Sequence, residues 1–286
     1  MNTIKPLEEL CLQIRRDILK MVHKASSGHP GGALGTAEYF VALYKIILRH
    51  QPNPFHKEGR KEDLFFLSNG HISAVYYSIL ARCGYFPIKE LSTFRLIHSR
   101  LQGHPTPYEG LEGIRIASGS LGQGMSVAIG AALAKKLNKE NHLIYSLHGD
   151  GELNEGQIWE AALYAGARGI DNYIATIDYN KQQIDGSIEE VLPLGDLRKK
   201  FESFNWIVLE EKEGNNLEKV ILILKKAIDQ LGKKKPVMIL LHTQMGKGVD
   251  FMTKGNLWHG KAPNDQELKK ALDQLPETSL GDYPMI

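Results

Sequence analysis

This chain of 286 residues has few cysteines, little net charge and no long apolar run. Each of these features excludes a class of protein. The only two cysteines, Cys11 and Cys83, stand far apart and without the spacing of metal ligands, so we expect free thiols rather than disulfides. The formal net charge is +2, from 35 basic and 33 acidic residues. Because nucleic-acid binding calls for a clustered basic surface, the sequence predicts no nucleic-acid partner.

Signals for membranes and secretion are also missing. The longest apolar runs, such as residues 39–48 with Lys45 inside, fall short of the roughly 20 residues that span a bilayer. The first residues do not combine a basic segment with an apolar one, so no secretory leader is expected. We therefore predict a cytoplasmic protein with no membrane partner.

What the chain does contain is a regular alternation of apolar strands with helices of about 12 to 15 residues. This alternation predicts βαβ units and therefore an α/β fold, a parallel sheet with helices on both faces. The predicted strands cover residues 63–67, 142–147, 172–177, 206–210 and 237–242. One helix is predicted to follow the first strand and to end at Arg82. The other helices are predicted over residues 125–137, 154–168, 194–204 and 217–231.

The two ends of the chain frame this alternation. Apolar residues between positions 7 and 24 fall on one helical face, and a second apolar helix is predicted over residues 34–48. Between them, Ser26 to Gly32 is predicted to be non-helical because it is rich in glycine and proline. Roughly the last thirty residues are predicted to be a docked loop with a short helix. No repeat or flexible linker interrupts the chain, so we predict a single domain over residues 1–286 with a helical N-terminal segment and a C-terminal docking tail.

One motif carries specific chemistry. Gly149-Asp150-Gly151 directly follows an apolar strand, and Asn180 follows the next strand about thirty residues later. A right-handed crossover through the intervening helix would place the two strand ends side by side. One carboxylate and one amide oxygen suit Mg²⁺, which takes few protein ligands and leaves the rest to phosphate and water. Since the flanking glycines would let a diphosphate approach the backbone, the pattern predicts a magnesium–diphosphate site at the carboxyl edge of the sheet.

The pattern of Gly-Asp-Gly followed by Asn resembles the signature of thiamine-diphosphate enzymes, and further segments narrow the resemblance. They occur in the order Ser27-Gly28-His29-Pro30-Gly31-Gly32, Ser68-Asn69-Gly70-His71, Gly103-His104-Pro105, Gly119-Ser120-Leu121-Gly122-Gln123-Gly124, Gly149-Asp150-Gly151-Glu152, Asp185-Gly186, Gly246-Lys247-Gly248-Val249 and Trp258-His259-Gly260-Lys261-Ala262-Pro263. Together they resemble the N-terminal, pyrophosphate-binding half of transketolase, from about residue 10 to about residue 265. The resemblance implies the thiamine-diphosphate-binding fold.

The resemblance also implies a role for each matching residue. For the metal it implies Mg²⁺, with Ca²⁺ or Mn²⁺ as alternatives, held by Asp150, Asn180 and the backbone carbonyl of Gln182. For thiamine diphosphate it implies contacts from His71, Leu121, Gly122, His259 and the turn Gly149-Asp150-Gly151. For catalysis it implies proton transfer and hydroxyl recognition by His29, His104 and His259, and a carboxylate link between active sites by Glu155 at a subunit contact.

Two other interpretations of the histidines are open. Imidazole exchanges protons near neutral pH, which suits catalysis, but a single histidine is more often an ordinary surface or core residue. A zinc site is the rival interpretation, and it is disfavoured because no two of the histidines beside loop glycines stand at the short intervals typical of zinc ligands. No catalytic role is predicted for His23, His50, His56 or His142.

The same resemblance predicts that a partner completes the enzyme. Transketolases carry, in a second domain, a glutamate that contacts the aminopyrimidine ring of the cofactor, and this chain shows no second alternating pattern to house that domain. We therefore predict a split transketolase, in which a separate subunit brings the pyrimidine-binding domain and an α₂β₂ assembly forms its active sites between subunits. The pair would transfer a two-carbon ketol unit from a ketose phosphate to an aldose phosphate, as in pentose phosphate metabolism.

Three departures from the family pattern leave the sugar open. Residues 111–118, Gly214-Asn215-Asn216 and His148 replace more usual residues, although none of them removes a metal ligand. A specialised transketolase-like subunit that acts on another sugar is therefore an alternative. Two further alternatives are the α-subunit of a 2-oxoacid dehydrogenase, which the Ser-Gly-His-Pro-Gly and Gly-Ser-Leu-Gly-Gln-Gly segments disfavour, and a non-catalytic remnant, which intact Asp150 and Asn180 disfavour.

Overall fold

The computed structural model describes residues 4–284, so residues 1–3 and 285–286 of the predicted domain lie outside the described part. Its strands are β1 (Leu64–Leu67), β2 (Ile144–Gly149), β3 (Tyr173–Asp178), β4 (Gln182–Gln183), β5 (Gly186–Ser187), β6 (Ile207–Glu211) and β7 (Val237–Leu241). Strands β1, β2, β3, β7 and β6 form one parallel sheet in that order, and β4 and β5 form a separate antiparallel hairpin. The five predicted strands are confirmed, with ends shifted by at most two residues.

Helices surround the sheet. They are α1 (Lys5–Lys24), α2 (Pro30–Gly35), α3 (Ala37–Ala42), α4 (Ser73–Arg82), α5 (Gly124–Leu137), α6 (Gly156–Ala167), α7 (Ile188–Val191), α8 (Leu197–Ser203), α9 (Leu217–Asp229) and α10 (Asp265–Asp273). A π-helical turn, Leu43–Ile47, continues α3. Short 3₁₀ turns cover Gly70–Ile72, Ile88–Thr93, Pro107–Glu109, Gly151–Asn154, Asp250–Met252 and Leu257–His259.

Both faces of the sheet are covered, as the sequence predicted. Because side chains alternate along a strand, Phe65 and Leu67 of β1 join one apolar cluster, whereas Leu64 and Phe66 join the other. Helices α1, α3, α4 and α9 supply the first cluster, and α5, α6 and α8 supply the second. The predicted α/β architecture, a parallel sheet with helices on both faces, is confirmed.

The segment after α1 differs from the prediction. Ser26 to Gly32 is predicted to be non-helical, yet Pro30 opens α2, because its fixed φ suits the first helical position and its missing N–H is not needed there. The glycines are required by close packing: a Cβ on Gly31 would lie 2.7 Å from the carbonyl oxygen of Trp258. The predicted helix 34–48 is broken at Thr36, whose Oγ1 donates to the Gly32 carbonyl at 3.0 Å.

The end of the described chain packs against the first helix. Asp282 accepts hydrogen bonds from Arg16 Nη2 at 2.8 Å and from Gln13 Nε2 at 3.0 Å, and Lys20 Nζ lies 3.0 Å from the same carboxylate. Tyr283 is buried beside them. The division of the chain into domains stays a prediction. Within residues 4–284, no helix combines the length and the apolar character needed to cross a membrane.

Candidate active site

The ends of β2 and β3 lie side by side at the carboxyl edge of the sheet. Gly149 at the end of β2 is paired in register with Asp178 at the end of β3. Asp150 follows directly, and its Oδ2 accepts a hydrogen bond from the backbone N–H of Lys181 at 2.6 Å. The neighbouring Asn180 presents its side-chain oxygen to the N–H of Gln182 at 2.9 Å. The structure therefore brings together the three residues that were predicted to hold the metal.

Two buried carboxylates share this edge. Asp150 and Asp178 are 1% and 2% exposed. Burial and the nearby Asp178 charge raise the pKa of Asp150 well above its usual range, and burial raises the pKa of Asp178 to about 6. Asp178 accepts hydrogen bonds from Thr243 Oγ1 and from Asn180 Nδ2, the latter at 2.8 Å. Because two buried carboxylates repel each other, a cation bound between these strand ends would be strongly favoured.

Four histidines gather opposite the carboxylates. The ring centroids of His29 lie 5.2 Å from His71, 5.8 Å from His259 and 6.2 Å from His104, and those of His71 and His259 lie 5.1 Å apart. Burial and the neighbouring His259, Arg95 and His104 lower the pKa of His29 to about 4. Burial is also the main cause of the lowered pKa values of His71, His104 and His259. The cluster is therefore neutral near pH 7, and each ring has a nitrogen that accepts and one that donates.

The ring of His29 is expected to stay neutral from pH 8 down to about pH 5. The unfolded chain protonates this ring near its ordinary pKa of 6.5, and the folded chain only near pH 4, so its contribution to the free energy of unfolding falls as pH falls between these values. Asp178 acts in the opposite sense below pH 6, because its folded-state pKa is raised. A ¹⁵N NMR titration of the histidine rings, in which His29→Gln identifies the His29 signal, measures this pKa. A titration midpoint of His29 above pH 6 would contradict the prediction that its ring stays neutral.

Most predicted site residues line one cavity of about 370 Å³. They are His29, His71, His104, Leu121, Gly149, Asp150, Gly151, Glu155, Asn180, Gln182 and His259. Gly122 is the exception: it is buried behind the lining, and its N–H donates to Glu152 Oε1 at 2.7 Å. Glu155 is exposed at the start of α6, beside Gly122. The functional roles of these residues stay predictions.

Sequence reasoning missed five polar residues of the same cavity, Asn69, Glu152, Asn154, Asp178 and Gln183. A signal for Asp178 was available, because residues two apart in extended chain face the same side and Asp178 precedes Asn180 by two positions. Asn69 and Glu152 each belong to a segment that resembles the family, but neither was assigned a role. Nothing local marked the role of Glu152, because its partners Ser68 and Gly122 are distant in sequence.

The cavity fits a metal–diphosphate group at one end. The side-chain oxygen of Asn69 and Nδ1 of His29 are buried and without a hydrogen-bond partner, so a polar ligand in the cavity would satisfy them. A Cβ on Gly151 would lie 3.0 Å from the Gln183 Cβ, so the turn leaves little room for a side chain. The carboxylate end suits a cation with an anionic ligand, and the neutral imidazoles suit a hydroxylated substrate.

Comparisons with known proteins show which family the chain resembles. The family described as "Transketolase, thiamine diphosphate binding domain" matches residues 8–278. The chain is 40% identical to the SqwG subunit of the 6-deoxy-6-sulfo-D-fructose transketolase of a Clostridium species, over 92% of this chain and 93% of that one. It is 35% identical to one of the subunits of the apulose-4-phosphate transketolase of Phocaeicola vulgatus, over 96% and 95%.

Solved structures give the same result. The transketolase of Leishmania mexicana superposes with a TM-score of 0.89 at 28% identity, over 97% of this chain and 42% of that one. The transketolase of Campylobacter jejuni superposes with a TM-score of 0.88 at 32% identity, over 98% and 44%. The chain thus spans less than half the length of these solved transketolases. It belongs to the transketolase family and corresponds to the N-terminal, thiamine-diphosphate-binding half.

Proposed function

We propose that this chain is the N-terminal subunit of a split, Mg²⁺-dependent transketolase, which moves a two-carbon ketol unit from a ketose to an aldose together with a second subunit. One observation carries the proposal: Asp150 and Asn180 meet at adjacent strand ends, in the same cavity as four clustered histidines. A cytoplasmic enzyme of sugar phosphate metabolism is the setting that we propose. The whole chain acts as one domain in this proposal.

The carboxylate end would hold the metal and the diphosphate. Asp150, Asn180 and the carbonyl of Gln182 are the proposed ligands of Mg²⁺, with Ca²⁺ or Mn²⁺ as alternatives. Asp150 Oδ1 and Oδ2 each accept one backbone N–H, from Gly151 at 2.8 Å and Lys181 at 2.6 Å. Since a carboxylate oxygen has two lone pairs, each keeps one for a cation. Gly149, Gly151 and His71 would lie along the diphosphate, with Leu121 against the rings.

The histidine end would hold the sugar. When bound, thiamine diphosphate supplies the electron sink that lets a carbon–carbon bond of the ketose break and re-form with an aldose. The protein supplies position and proton traffic: neutral His29, His104 and His259 can donate to and accept from sugar hydroxyls. Their lowered pKa values keep them in the neutral form that does both. His259 lies 5.1 Å from His71 between ring centroids, so the sugar and diphosphate ends adjoin.

An uncovered apolar surface supports the proposed α₂β₂ assembly. Helix α5 has no charged residue between Gly124 and Ala134, and α6 has only Glu160. Among their exposed residues, Val127, Gly130, Ala134, Leu163, Tyr164 and Ala167, here called the α5/α6 face, are apolar or small, and the polar Ser126 and Glu160 lie beside them. Leu163 remains 54% exposed and Val127 40% exposed. A helix that is apolar on its outer side is normally covered, and small residues allow two backbones to approach closely.

The occupant that we propose for this face is a second copy of the chain. Both helices begin at the rim of the cavity, where Glu155 is exposed and Gln123 pairs with Gln157 by two amide hydrogen bonds of 3.0 Å. A symmetric contact here would bring two cavities, and the two Glu155 side chains, toward one axis. The pyrimidine-domain subunit would then close the open side of each cavity.

The relatives restrict the chemical class of the donor sugar but do not identify the sugar. The names of two of them specify a sulfonated fructose and apulose 4-phosphate, both ketoses with an anionic end. We propose a donor of this chemical class, which includes ordinary ketose phosphates. The departures at residues 111–118, Gly214-Asn215-Asn216 and His148 keep a specialised sugar open as an alternative.

Reconstitution tests the proposal. The isolated chain, given thiamine diphosphate, Mg²⁺ and a ketose phosphate, is expected to show no turnover, because in this proposal the second subunit provides the glutamate that contacts the aminopyrimidine. Adding the pyrimidine-domain subunit is expected to give ketol transfer, measured with fructose 6-phosphate, 6-deoxy-6-sulfofructose and apulose 4-phosphate as donors. Turnover by the isolated chain would contradict the split enzyme, and decarboxylation of a 2-oxoacid by the pair would favour the dehydrogenase alternative.

A further inference from the structure

A buried carboxylate in the wall of the cavity takes no part in the proposed chemistry. The side chain of Glu152 is 0% exposed. Its Oε1 accepts hydrogen bonds from Ser68 Oγ and, at 2.7 Å, from the N–H of Gly122. Its Oε2 accepts from the N–H of Gly149 at 3.1 Å. One side chain therefore joins the end of β1, the loop before α5 and the end of β2.

Ser68 extends this connection. Its Oγ, which donates to Glu152, also accepts from the N–H of Gly124 at 3.1 Å. A Cβ on Gly124 would lie 2.4 Å from that oxygen, so the loop and the strand end are in direct contact. Through Ser68, Glu152 fixes the loop 119–124 at two backbone N–H groups and the turn 149–151 at a third. The loop carries Leu121, and the turn carries Asp150.

The carboxylate is itself held from behind. His148, also 0% exposed, places Nδ1 at 3.7 Å from Glu152 Oε2, and its Nε2 lies 2.7 Å from Ser146 Oγ. Ser146 Oγ lies 2.6 Å from the hydroxyl of Tyr173. This polar row, carried by strands β2 and β3, places a buried imidazole beside the Glu152 carboxylate.

We propose that Glu152 is a positioning residue that sets the distance between the loop 119–124 and the turn 149–151, and thereby the affinity for thiamine diphosphate. The inference rests on the proposed function, since it concerns the same cavity. Two carboxylate oxygens accept three donors at once, whereas an amide has one accepting oxygen and places an N–H₂ group against N–H donors. Glu152 acts through backbone groups and leaves the ligands of the metal in place.

Glu152→Gln is the sharpest test, because it keeps the volume of the side chain and removes one acceptor. With Mg²⁺ in excess, isothermal titration calorimetry is expected to show about 10- to 100-fold weaker binding of thiamine diphosphate. In the reconstituted pair, the KM for the cofactor is expected to rise by a similar factor, with kcat at saturating cofactor within about twofold of the original enzyme. A purely structural role would lower the melting temperature without this change in KM.

A matched control is available at the opposite end of β1. Glu62 is also buried and accepts hydrogen bonds from the N–H of Gln51 at 3.0 Å and from Arg115 Nη2 at 2.6 Å. Glu62→Gln is expected to lower the melting temperature and to leave cofactor affinity unchanged.

The outcomes separate this inference from the proposed function. Unchanged cofactor affinity in Glu152→Gln, or an equal loss in Glu62→Gln, would overturn the positioning role. Should Glu152→Gln not fold, Ser68→Ala provides the same test: it is expected to weaken cofactor binding several-fold, and affinity equal to that of the original chain would overturn the inference. Absence of Mg²⁺-dependent binding by the unsubstituted reconstituted pair would instead refute the proposed function, and the inference with it.

Discussion

Replacement of Asp150 by asparagine is expected to weaken Mg²⁺-dependent binding of thiamine diphosphate by at least about 100-fold, and transketolase activity of the reconstituted pair with it. Asp150 is the only charged side chain among the three proposed metal ligands, and its neighbour Asn180 provides only an amide oxygen. Asparagine keeps the size and one acceptor oxygen but removes the negative charge. Calorimetric titration of the cofactor with and without Mg²⁺ measures the effect, which should vanish when the metal is absent.

The same substitution is expected to leave the stability of the ligand-free protein intact at pH 7. The charged form of Asp150 is disfavoured by burial and by Asp178, so neutralising it offsets the lost hydrogen bond to the backbone. A folded-state carboxyl pKa above the unfolded value means that this group destabilises the protein as pH rises through that interval. Asparagine cannot ionise, so the destabilisation disappears in the variant.

Asp63 provides the matched control. It is equally buried, but it pairs with Arg49 at 2.7 Å and accepts the N–H of Leu143 at 2.8 Å, before β1 and away from the cavity. Asp63→Asn is expected to lower the free energy of unfolding by about 1 to 3 kcal/mol and to leave cofactor binding unchanged. If Asp150→Asn kept its affinity for the cofactor, or lost as much stability as the control, the proposed metal site would be wrong.

The sequence predicted the part of the site that follows from chain order. Asp150 and Asn180 come directly after two apolar strands joined by one helix, and the handedness of such crossovers places their ends together. The structure adds that the connection is direct, through the Lys181 N–H and the Asp150 carboxylate. It was also predictable that neighbouring side chains of β1 would enter different apolar clusters, because side chains alternate between the two faces of a strand.

What could not be predicted depends on contacts between distant segments. Proline suits both the end of one helix and the first position of the next, and the helix that Pro30 begins packs against Met245 and Trp258, more than two hundred residues away. The hairpin β4–β5 is too short for any periodic pattern. Glu152 looks like an ordinary acidic residue in a turn until Ser68 and Gly122 are brought beside it. Local sequence carries no information on such pairs.

Leu163→Glu is expected to split the reconstituted enzyme into αβ units and to reduce ketol transfer to about one hundredth or less. In a symmetric contact across the α5/α6 face, each substitution would occur twice, so two carboxylates would be buried without partners close to the axis. The side chain is 54% exposed in the single chain, so the fold itself should not be affected. Analytical ultracentrifugation gives the mass of the assembly, and circular dichroism checks the fold.

Two further variants make the result specific. Leu222 of α9 is an exposed leucine of the same kind, 52% exposed, on a helix that packs against the opposite face of the sheet. Leu222→Glu is expected to leave mass and activity unchanged. Gly130→Gln is expected to act like Leu163→Glu: a Cβ on Gly130 meets no atom within 4 Å in the single chain, so a larger side chain there blocks only a second surface. An assembly that kept its full mass with both Leu163→Glu and Gly130→Gln would show that the two copies do not meet on this face, and the α₂β₂ arrangement would have to use another surface.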